Sequence, residues 1–228
     1  MSGKTFEGSF GDKRLAARGN ELVRGLIVRG THSVRQFSSS NADLKGNYRF
    51  LENERTTVEA ITASMSERCA AAVKDRVVLS IQDTTEINLG RHNNRIKHDQ
   101  SIGPINDSFN GIGFKIHPSL VVNAYTYYPY GYSAVHLWAR EEGKEKRSRY
   151  EHRQLTVDQK ETNTWLQSNE RTYQTLSKAK SVIIIQDREG DFYEQFATVA
   201  EDGKFYLLVR SNHNRMLAEG IRLWDYID

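Results

Sequence analysis

The sequence is poor in the residues that mark secreted, membrane-spanning or linker-rich proteins. Cys69 is its single cysteine, which excludes an internal disulfide and a cysteine-based zinc cluster. No apolar run approaches the roughly 20 residues that cross a bilayer, and the first residues lack a basic-then-apolar signal region. Three prolines in 228 residues argue against a long linker. We therefore expect a cytoplasmic protein that has no membrane partner.

The composition is that of a globular protein, with 38% hydrophobic and 27% charged residues. The net charge of +3 is modest, but basic residues concentrate near the start of the chain. Between positions 13 and 35, Glu21 is the one acidic residue, against Lys13, Arg14, Arg18, Arg24, Arg29 and Arg35. Such a cluster fits contacts to DNA phosphates, because each neutralised phosphate releases counterions. A solvated helix face is the alternative.

The first 75 residues carry a helical pattern. Gly30 stands where a first helix would stop, Asn41 is placed to cap a second, and Thr56 with Glu59 has the spacing of a capping box. The apolar positions at helical spacing are Leu15, Leu22, Val23, Leu26 and Ile27, and later Ile61, Met65, Cys69 and Ala72. We predict a small all-helical domain over residues 1–75, with Cys69 as a buried thiol.

From residue 76 onward, short strand-like runs replace the helical pattern. The run Val77–Ile81 is short and rich in β-branched residues, which favours a buried strand, and runs 182–185 and 205–209 have the same character. Runs 116–128 and 132–138 predict a hairpin that turns at 129–131. The other predictions are helices over 161–178 and 191–200, loops over 90–113 and 141–153, and inward positions Trp165, Leu166, Tyr173 and Leu176. This order predicts a mixed α/β domain over residues 76–228.

Two of the predicted strands end in the same way, in Ile-Gln-Asp. The aspartates are Asp83 and Asp187. If the two strands are neighbours, both carboxylates meet at one margin of the sheet, where hard oxygen ligands suit Mg²⁺ or Mn²⁺. Two such ions can activate an attacking oxygen and stabilise the leaving oxygen of a phosphodiester. The alternative is structural, because aspartate often ends a strand at a turn.

Other chemically active side chains are less informative. His92, His98 and His117 lack a tight ligand spacing, so ordinary loop or core histidines are the favoured interpretation. The tyrosines at 125, 127, 128, 130 and 132 are of a kind that stacks on bases. Their place on a predicted hairpin favours packing on a sheet face instead.

Several motifs, in order along the chain, resemble transposases of the insertion-sequence-four (transposon-five-like) group, which use a DDE motif. The resemblance covers about Phe10 to Tyr226. Thr164 departs from it, since a lysine is expected before Trp165. The matching residues are Gly46-Asn47-Tyr48-Arg49-Phe50 with Asn53; Asp83-Thr84-Thr85; Gly103, Asp107, Gly111 and His117; Glu161 and Trp165; Asp187-Arg188-Glu189-Gly190-Asp191; and Val209-Arg210-Ser211-Asn212-His213.

The resemblance implies a ribonuclease-H-like core in which two Asp and one Glu hold two Mg²⁺ or Mn²⁺ ions. Asp83 corresponds to the first carboxylate and Asp187 to the second. The implied partner is double-stranded DNA, as transposon inverted-repeat ends and as target. Arg210 is the implied DNA contact of the core, with Arg188 less so because it can simply brace Asp187; Tyr48 and Arg49 lie in the implied DNA-binding domain.

The third carboxylate should be a Glu within a Tyr-x-x-Arg-x-x-x-Glu pattern on a helix that follows a β-rich insertion. None of the candidates has Tyr and Arg at the required offsets; they are Glu189, Glu194, Glu201 and Glu219. We therefore expect an incomplete core, without the insertion, the final Glu-bearing helix and the segment that forms the family's homodimer. Little or no strand transfer is expected from this chain alone, while DNA binding is expected to remain.

Three classes of function stay open at this point. The first is a cut-and-paste DNA transposase, present as an N-terminal portion. The second is a non-catalytic DNA-binding regulator or remnant of a transposase. The third is another ribonuclease-H-like, metal-dependent nuclease. Asp83 separates the first two, since its loss should abolish cleavage in an enzyme and leave binding by a regulator nearly intact.

Overall fold

A computed structural model describes residues 6, 8–96, 101–105, 111–140, 154–199, 203–217 and 220–227. The chain divides into two compact units, residues 1–71 and 72–228. The sequence pattern had placed this boundary near residue 75. Among the described helices, none combines the length and the apolar character needed to span a bilayer.

The described part of the first unit is built from helices. A 3₁₀ turn, Ser9–Gly11, precedes α1 (Lys13–Arg29), α2 (Val34–Phe37), α3 (Asn41–Leu51) and α4 (Val58–Ala72), which reaches one residue past the unit. The Asp12 side chain accepts a hydrogen bond from the Arg14 backbone N–H at 2.8 Å and so caps the start of α1. Gly30, as expected, ends this helix with a left-handed backbone, φ 58°.

Two predicted helix caps are each wrong by one residue. Ser40, rather than Asn41, caps α3, and its hydroxyl accepts from the Asp43 N–H at 3.1 Å. Thr57, rather than Thr56, accepts from the Ala60 N–H at 3.1 Å at the start of α4. A capping residue needs extended backbone, which Ser40 has at φ −155° and ψ 168°. Sequence spacing does not reveal which polar residue of a run adopts it.

Aromatic side chains fill the core of the first unit. Leu22, Phe37 and Phe50 are buried together, and the Phe10 ring lies 5.6 Å from that of Phe50. Phenyl rings pack closely against α1 at Gly19, where an added β-carbon would lie 2.7 Å from Phe6 and 2.9 Å from Phe50. Cys69 is fully buried, as predicted, and burial raises the pKa of its thiol to about 12.

One predicted core position of α1 is wrong. Ile27 is 75% exposed, although it follows Leu26, which packs against the aromatic core. At 100° per residue, Ile27 already faces away from that core.

The second unit is a mixed α/β structure. The predicted strands near 77, 182 and 205 are confirmed, whereas β2 and β3 were missed because they are too short to show a periodicity. The strands are β1 (Val77–Gln82), β2 (Thr85–Asn88), β3 (Gly103–Pro104), β4 (Ile112–Asn123), β5 (Pro129–Trp138), β6 (Ser181–Gln186) and β7 (Phe205–Val209). The helices are α5 (Asn163–Thr175), α6 (Tyr193–Ala197) and α7 (Leu223–Ile227), with 3₁₀ turns Gly90–Arg95, Val157–Gln159 and Arg188–Gly190.

The described strands form one sheet with mixed strand directions. β4 pairs antiparallel with β5 along one edge, and with both β1 and β2 along the other. β1 pairs in parallel with β6, and β6 in parallel with β7. Across the sheet the order is therefore β5, β4, β1, β6, β7. The carboxyl ends of the three parallel strands β1, β6 and β7 consequently lie at one margin.

The hairpin turn differs from the prediction. It occupies residues 124–128, and β5 already begins at Pro129. The Asn123 side chain closes the turn by accepting from the backbone N–H groups of Tyr125 at 2.9 Å and Thr126 at 3.0 Å. An Asx turn therefore decided the reversal, and the Pro-Tyr-Gly sequence did not.

The predicted helices are shorter than their sequence patterns. α5 begins at Asn163 rather than at 161 and ends at Thr175 rather than at 178; α6 covers five residues of the predicted 191–200. Of the predicted inward positions, Trp165 and Leu176 are buried, while Leu166 and Tyr173 are half-buried. The predicted charged loop 141–153, with Asp107, Glu201 and Glu219, lies outside the described residues.

We predict that Gly19→Ala destabilises the first unit by about 1 kcal/mol. Alanine normally stabilises a helix by about 1 kcal/mol over glycine, but here the added methyl must displace two phenyl rings, which costs about 1–3 kcal/mol. Hydrogen exchange of the α1 amides, with urea unfolding of the full chain, measures the change.

The matched control is Ala17→Gly, at an exposed position of the same helix. It should lower stability by about 1 kcal/mol through helix propensity alone. A gain in stability for Gly19→Ala would show that the phenyl rings leave more room than their positions indicate.

Candidate functional site

Three charged residues leave the sheet side by side at the carboxyl ends of its parallel strands. Gln82 of β1 is the Cα partner of Gln186 of β6, so Asp83 and Asp187 are the next residues on adjacent strands. Gln186 is in turn the partner of Val209, the last residue of β7. The next residue, Arg210, donates its backbone N–H to the Gln186 carbonyl at 3.2 Å. Neighbouring strands are about 4.8 Å apart, so the structure brings these three sequence-predicted residues together.

Both carboxylates are oriented by their own backbone. Asp83 accepts the Thr84 N–H through Oδ1 at 2.8 Å. Asp187 accepts the Glu189 N–H through Oδ1 at 2.8 Å and caps the 3₁₀ turn that follows. The second oxygen of each carboxylate has no hydrogen-bond partner among the described residues. Each aspartate therefore presents an available hard oxygen at this margin.

The carboxylates at this margin fit part of a divalent-ion site. Carboxylate oxygens are the ligands that Mg²⁺ and Mn²⁺ prefer. Across the described ranges, no group of three or more His, Cys, Asp or Glu side chains is arranged to hold a metal ion. Asp83 and Asp187 thus have the chemistry of two such ligands, and the described His, Cys, Asp and Glu side chains do not complete a group of three.

Buried amide side chains lie directly behind the two aspartates. Gln186 Nε2 donates to Gln82 Oε1 at 2.8 Å and to Asn169 Oδ1 at 3.1 Å. Gln82 Nε2 donates to the same Asn169 oxygen at 3.1 Å, and Gln195 Nε2 donates to Gln186 Oε1. All four side chains are at most 3% exposed. Both glutamines belong to the repeated Ile-Gln-Asp motif of the sequence, but no sequence pattern indicated Asn169 or Gln195.

A buried histidine supports the turn after Asp83. Thr84 Oγ1 lies 2.8 Å from His117 Nδ1, and the His117 ring meets the Trp165 ring edge-on at 4.4 Å. Burial, with a smaller contribution from His136, lowers the pKa of His117 to about 4, so the ring is neutral at pH 7. His117 is therefore a core histidine, as the sequence favoured, and it contacts the segment that carries Asp83.

Asp191 ties the loop after β7 to the turn after β6. Its buried carboxylate accepts the backbone N–H groups of Asn212 at 2.6 Å and His213 at 2.9 Å, and it forms an ion pair with Arg215. Burial acts to raise the pKa of Asp191, but these hydrogen bonds and the Arg215 charge lower it overall. The Arg215 guanidinium also lies 5.2 Å from the centre of the Phe196 ring. No sequence pattern predicted these contacts of Asp191, which hold the segment just after Arg210 in place.

Glu161, one of the residues on which the resemblance to transposases rests, forms ion pairs with two basic residues. It accepts hydrogen bonds from Arg140 at 2.6 and 2.9 Å and from Lys115 at 2.9 Å. The Arg140 hydrogen bonds, followed by those of Lys115, outweigh burial and lower the pKa of Glu161 to about 2. These contacts join the start of α5 to β4 and to the end of β5.

The predicted basic residues of the first unit are mostly exposed. Lys13, Arg14 and Arg24 lie on the outer face of α1, within about 100° of one another at 100° per residue. Arg188 of the second unit is exposed as well. The other exposed members of the predicted set are Arg29, Arg35 and Arg49.

Arg18 differs from the other predicted contacts. Its guanidinium pairs with Asp43 at 2.7 Å and with Glu21 at 3.1 Å. It therefore holds α1 against α3, and the two carboxylates offset its charge.

α3 presents a basic and aromatic face. Tyr48 is 46% exposed, and Lys45 and Arg49 are exposed beside it at helical spacing i, i+3 and i+4. Lys45 was missed in the sequence analysis, although the same spacing from Tyr48 and Arg49 would have revealed it.

One comparison with known proteins matches most of the first unit. Residues 4–56, which include α1, α2 and α3, match the family model described as Transposase DNA-binding. This part of the chain is therefore similar to transposase DNA-binding domains. No curated protein matches the chain.

A solved structure of the piggyBac transposase, in a synaptic complex with hairpin DNA, aligns with a TM-score of 0.42 and 13% sequence identity. The alignment covers 94% of this chain and 45% of that one. The chain thus spans less than half the length of this neighbour.

We predict that the protein loses stability as pH falls from about 6.5 toward 4, and that His117 contributes to the loss. An imidazole with an unfolded pKa of 6.5 and a folded pKa of about 4 favours the folded state fully above pH 6.5. Protonation of the unfolded chain removes that advantage, by about 2 kcal/mol at about pH 5. Urea unfolding at about pH 7.5 and pH 5 measures it.

His117→Gln should flatten part of this pH dependence, and His136, whose pKa burial also lowers to about 4, should account for another part. His92→Gln, at an exposed histidine, is the control and should leave the profile unchanged. An equal profile for His117→Gln and the wild type would contradict the assignment.

Proposed function

We propose that this chain acts in cut-and-paste DNA transposition. The first unit binds DNA, and the second contributes carboxylates to a metal-dependent centre for DNA cleavage and strand transfer. The observation that carries the proposal is the register of β1 with β6, which puts Asp83 and Asp187 on neighbouring strand ends. The similarity of residues 4–56 to transposase DNA-binding domains supports DNA as the substrate.

The topology of the second unit supports a ribonuclease-H-like core. In that architecture, three antiparallel strands are followed by two strands that run parallel to the first. Here β1, β4 and β5 are the antiparallel set, and β6 and β7 add in parallel beside β1. β2 and β3 are additions along β4. Membership of the insertion-sequence-four group remains a proposal that rests on the ordered motifs.

The proposed chemistry is phosphoryl transfer. A bound Mg²⁺ or Mn²⁺ supplies charge neutralisation and activation of oxygen at a phosphodiester. Asp83 and Asp187 would hold such an ion through their available oxygens, and Arg210 would contact a DNA phosphate beside them. Asp191 and Arg215 keep the loop after Arg210 in place. The protein's work is thus positioning and electrostatic stabilisation.

Two carboxylates are fewer than the family's three. Residues 1–228 contain no Tyr-x-x-Arg-x-x-x-Glu pattern, so ion binding by this chain is expected to be weaker than that of a complete site. DNA binding does not depend on the third carboxylate. We therefore propose that DNA binding is retained by this chain in the absence of strand transfer. Homodimerisation, which the family achieves elsewhere in the protein, stays a prediction.

We predict that Arg24→Gln together with Arg49→Gln weakens DNA binding. If each arginine contacts one phosphate, the slope of log affinity against log salt concentration should fall by about 0.9 per contact. Fluorescence anisotropy of the full chain with a labelled random-sequence duplex, across a salt series, measures the slope.

The matched control is Lys178→Gln with Lys180→Gln, which removes the same charge from exposed positions of the second unit. The control should keep the wild-type slope. An equal fall in both double variants would show that net charge, rather than the α1 and α3 surface, determines the affinity.

We further predict that Asp83→Asn or Asp187→Asn lowers Mn²⁺ affinity by about tenfold or more, because an amide oxygen is a weaker ligand than a carboxylate. Electron paramagnetic resonance of the full chain with Mn²⁺ reports the bound fraction directly. Asp158→Asn, at an exposed aspartate, makes the same change of charge and should leave affinity unchanged.

The Mn²⁺ and DNA-binding measurements together distinguish a metal-dependent transposase from a DNA-binding regulator. Mn²⁺ binding that is insensitive to Asp83 and Asp187 would reject the proposed metal centre. Duplex binding that survived in the same experiment would favour a non-catalytic DNA-binding regulator.

A further inference from the structure

The interior behind Asp83 and Asp187 contains buried polar side chains where apolar ones are usual. Four amide side chains meet there, from β1, β6, α5 and α6: Gln82, Gln186, Asn169 and Gln195. Inward positions two and four residues earlier on β6 hold the apolar side chains Ile184 and Val182. Buried amides are costly unless they are hydrogen-bonded. Here Asn169 Nδ2 and Gln195 Oε1 have no partner among the described residues, whereas the amide groups that join Gln82, Gln186 and Asn169 are all paired. Such paired groups select one arrangement over its alternatives. The question is which arrangement this network selects.

Asn169 is the point at which both aspartate-bearing strands are joined. Its Oδ1 accepts from Gln82 Nε2 and from Gln186 Nε2, each at 3.1 Å. These glutamines are Cα partners, and each immediately precedes an aspartate. A shift of one strand by one residue would turn a glutamine to the other face of the sheet and break its bond to Asn169. A single oxygen on α5 thus bonds to both strand ends in the register that the backbone ladder sets.

The turn that carries the Asp187 carboxylate packs onto the same network. An added β-carbon at Gly190 would lie 2.5 Å from Gln186 Oε1 and 3.0 Å from Gln186 Cβ. Gly190 closes the 3₁₀ turn whose Glu189 N–H binds Asp187 Oδ1. A displacement of the Gln186 amide would therefore move this turn, and the Asp187 carboxylate with it.

We propose that Asn169 is a positioning residue for the carboxylate pair: by holding the Gln82 and Gln186 amides together, it sets the relative placement of Asp83 and Asp187 and thereby their affinity for a divalent cation. The inference rests on the proposed function for its metal, although the positioning itself does not require one. Asn169 contacts neither the ion nor DNA in this role.

The structure provides variants that separate positioning from stability. Asn169→Leu removes the shared acceptor at similar volume. Asn169→Asp keeps both acceptor contacts and replaces Nδ2, which has no hydrogen-bond partner among the described residues, with a second oxygen. It also adds a buried carboxyl, whose charge is costly to bury. Thr172→Val is the matched control, since Thr172 is fully buried on the same helix but bonds to Ser133 of β5 at 2.9 Å.

The first measurement is Mn²⁺ affinity of the full chain by electron paramagnetic resonance. Asn169→Leu should lower it by up to about tenfold. Loss of a group that bonds directly to a metal ligand costs about 10–100-fold, and Asn169 acts one step further away, through the two glutamines. Asn169→Asp should recover affinity relative to Asn169→Leu, through the restored acceptor and its added negative charge, and Thr172→Val should leave it unchanged despite lower stability. If Asn169→Leu and Thr172→Val behave alike while Asp83→Asn abolishes binding, the positioning role is wrong and the metal centre stands.

The second measurement needs no metal. Hydrogen exchange of the Thr84 and Glu189 amides, which bond to the two carboxylates, should become faster in Asn169→Leu and remain as in the wild type in Thr172→Val. Unchanged exchange of both amides in Asn169→Leu would overturn the inference even if the chain binds no Mn²⁺. Faster exchange without Mn²⁺ binding would instead support the positioning role and reject the metal centre.

Discussion

Gln82 and Gln186, 104 positions apart in the chain, are partners on the parallel strands β1 and β6 and bond to each other through their side chains. Everything proposed for the second unit depends on this pairing. It puts Asp83 beside Asp187, and the next strand adds Arg210 in the same register. Because side chains alternate along a strand, a one-residue slip would separate these groups and bury the wrong face.

The contact between α5 and the sheet also depends on hydrogen bonds between buried polar side chains. Ser168 bonds to Ser119 of β4 at 2.7 Å, and Thr172 bonds to Ser133 of β5 at 2.9 Å. Together with Asn169, these buried groups specify where the helix lies along four strands of the sheet. Apolar packing alone is non-directional and would fix that position less sharply. The hydrogen bonds between α5 and the sheet therefore help to hold the ends of β1 and β6 in a defined position.

The two units contribute different parts of the proposed activity. The first has its own aromatic core and an exposed basic surface on α1 and α3, which suits sequence-independent attraction to DNA phosphates. Among the described residues of the second unit, Arg210 and Arg188 lie beside the two aspartates at the carboxylate margin. In the proposed function, the first unit thus provides affinity for DNA, and the second provides the carboxylates for phosphoryl transfer.

The sequence by itself determined the local features: the helix that stops at Gly30, the buried strands, the buried Cys69 and the repeated Ile-Gln-Asp motif. These follow from nearest-neighbour sterics and from hydrophobic period, which a linear pattern contains. It could not place the caps at Ser40 and Thr57 or the turn closed by Asn123, since each depends on the backbone angles of one residue. Only the tertiary structure decided that β1 lies beside β6, that Asn169 joins them and that Asp191 meets Arg215. Those contacts link residues far apart in the chain, and their energies come from burial and hydrogen bonds that exist only once the sheet has formed.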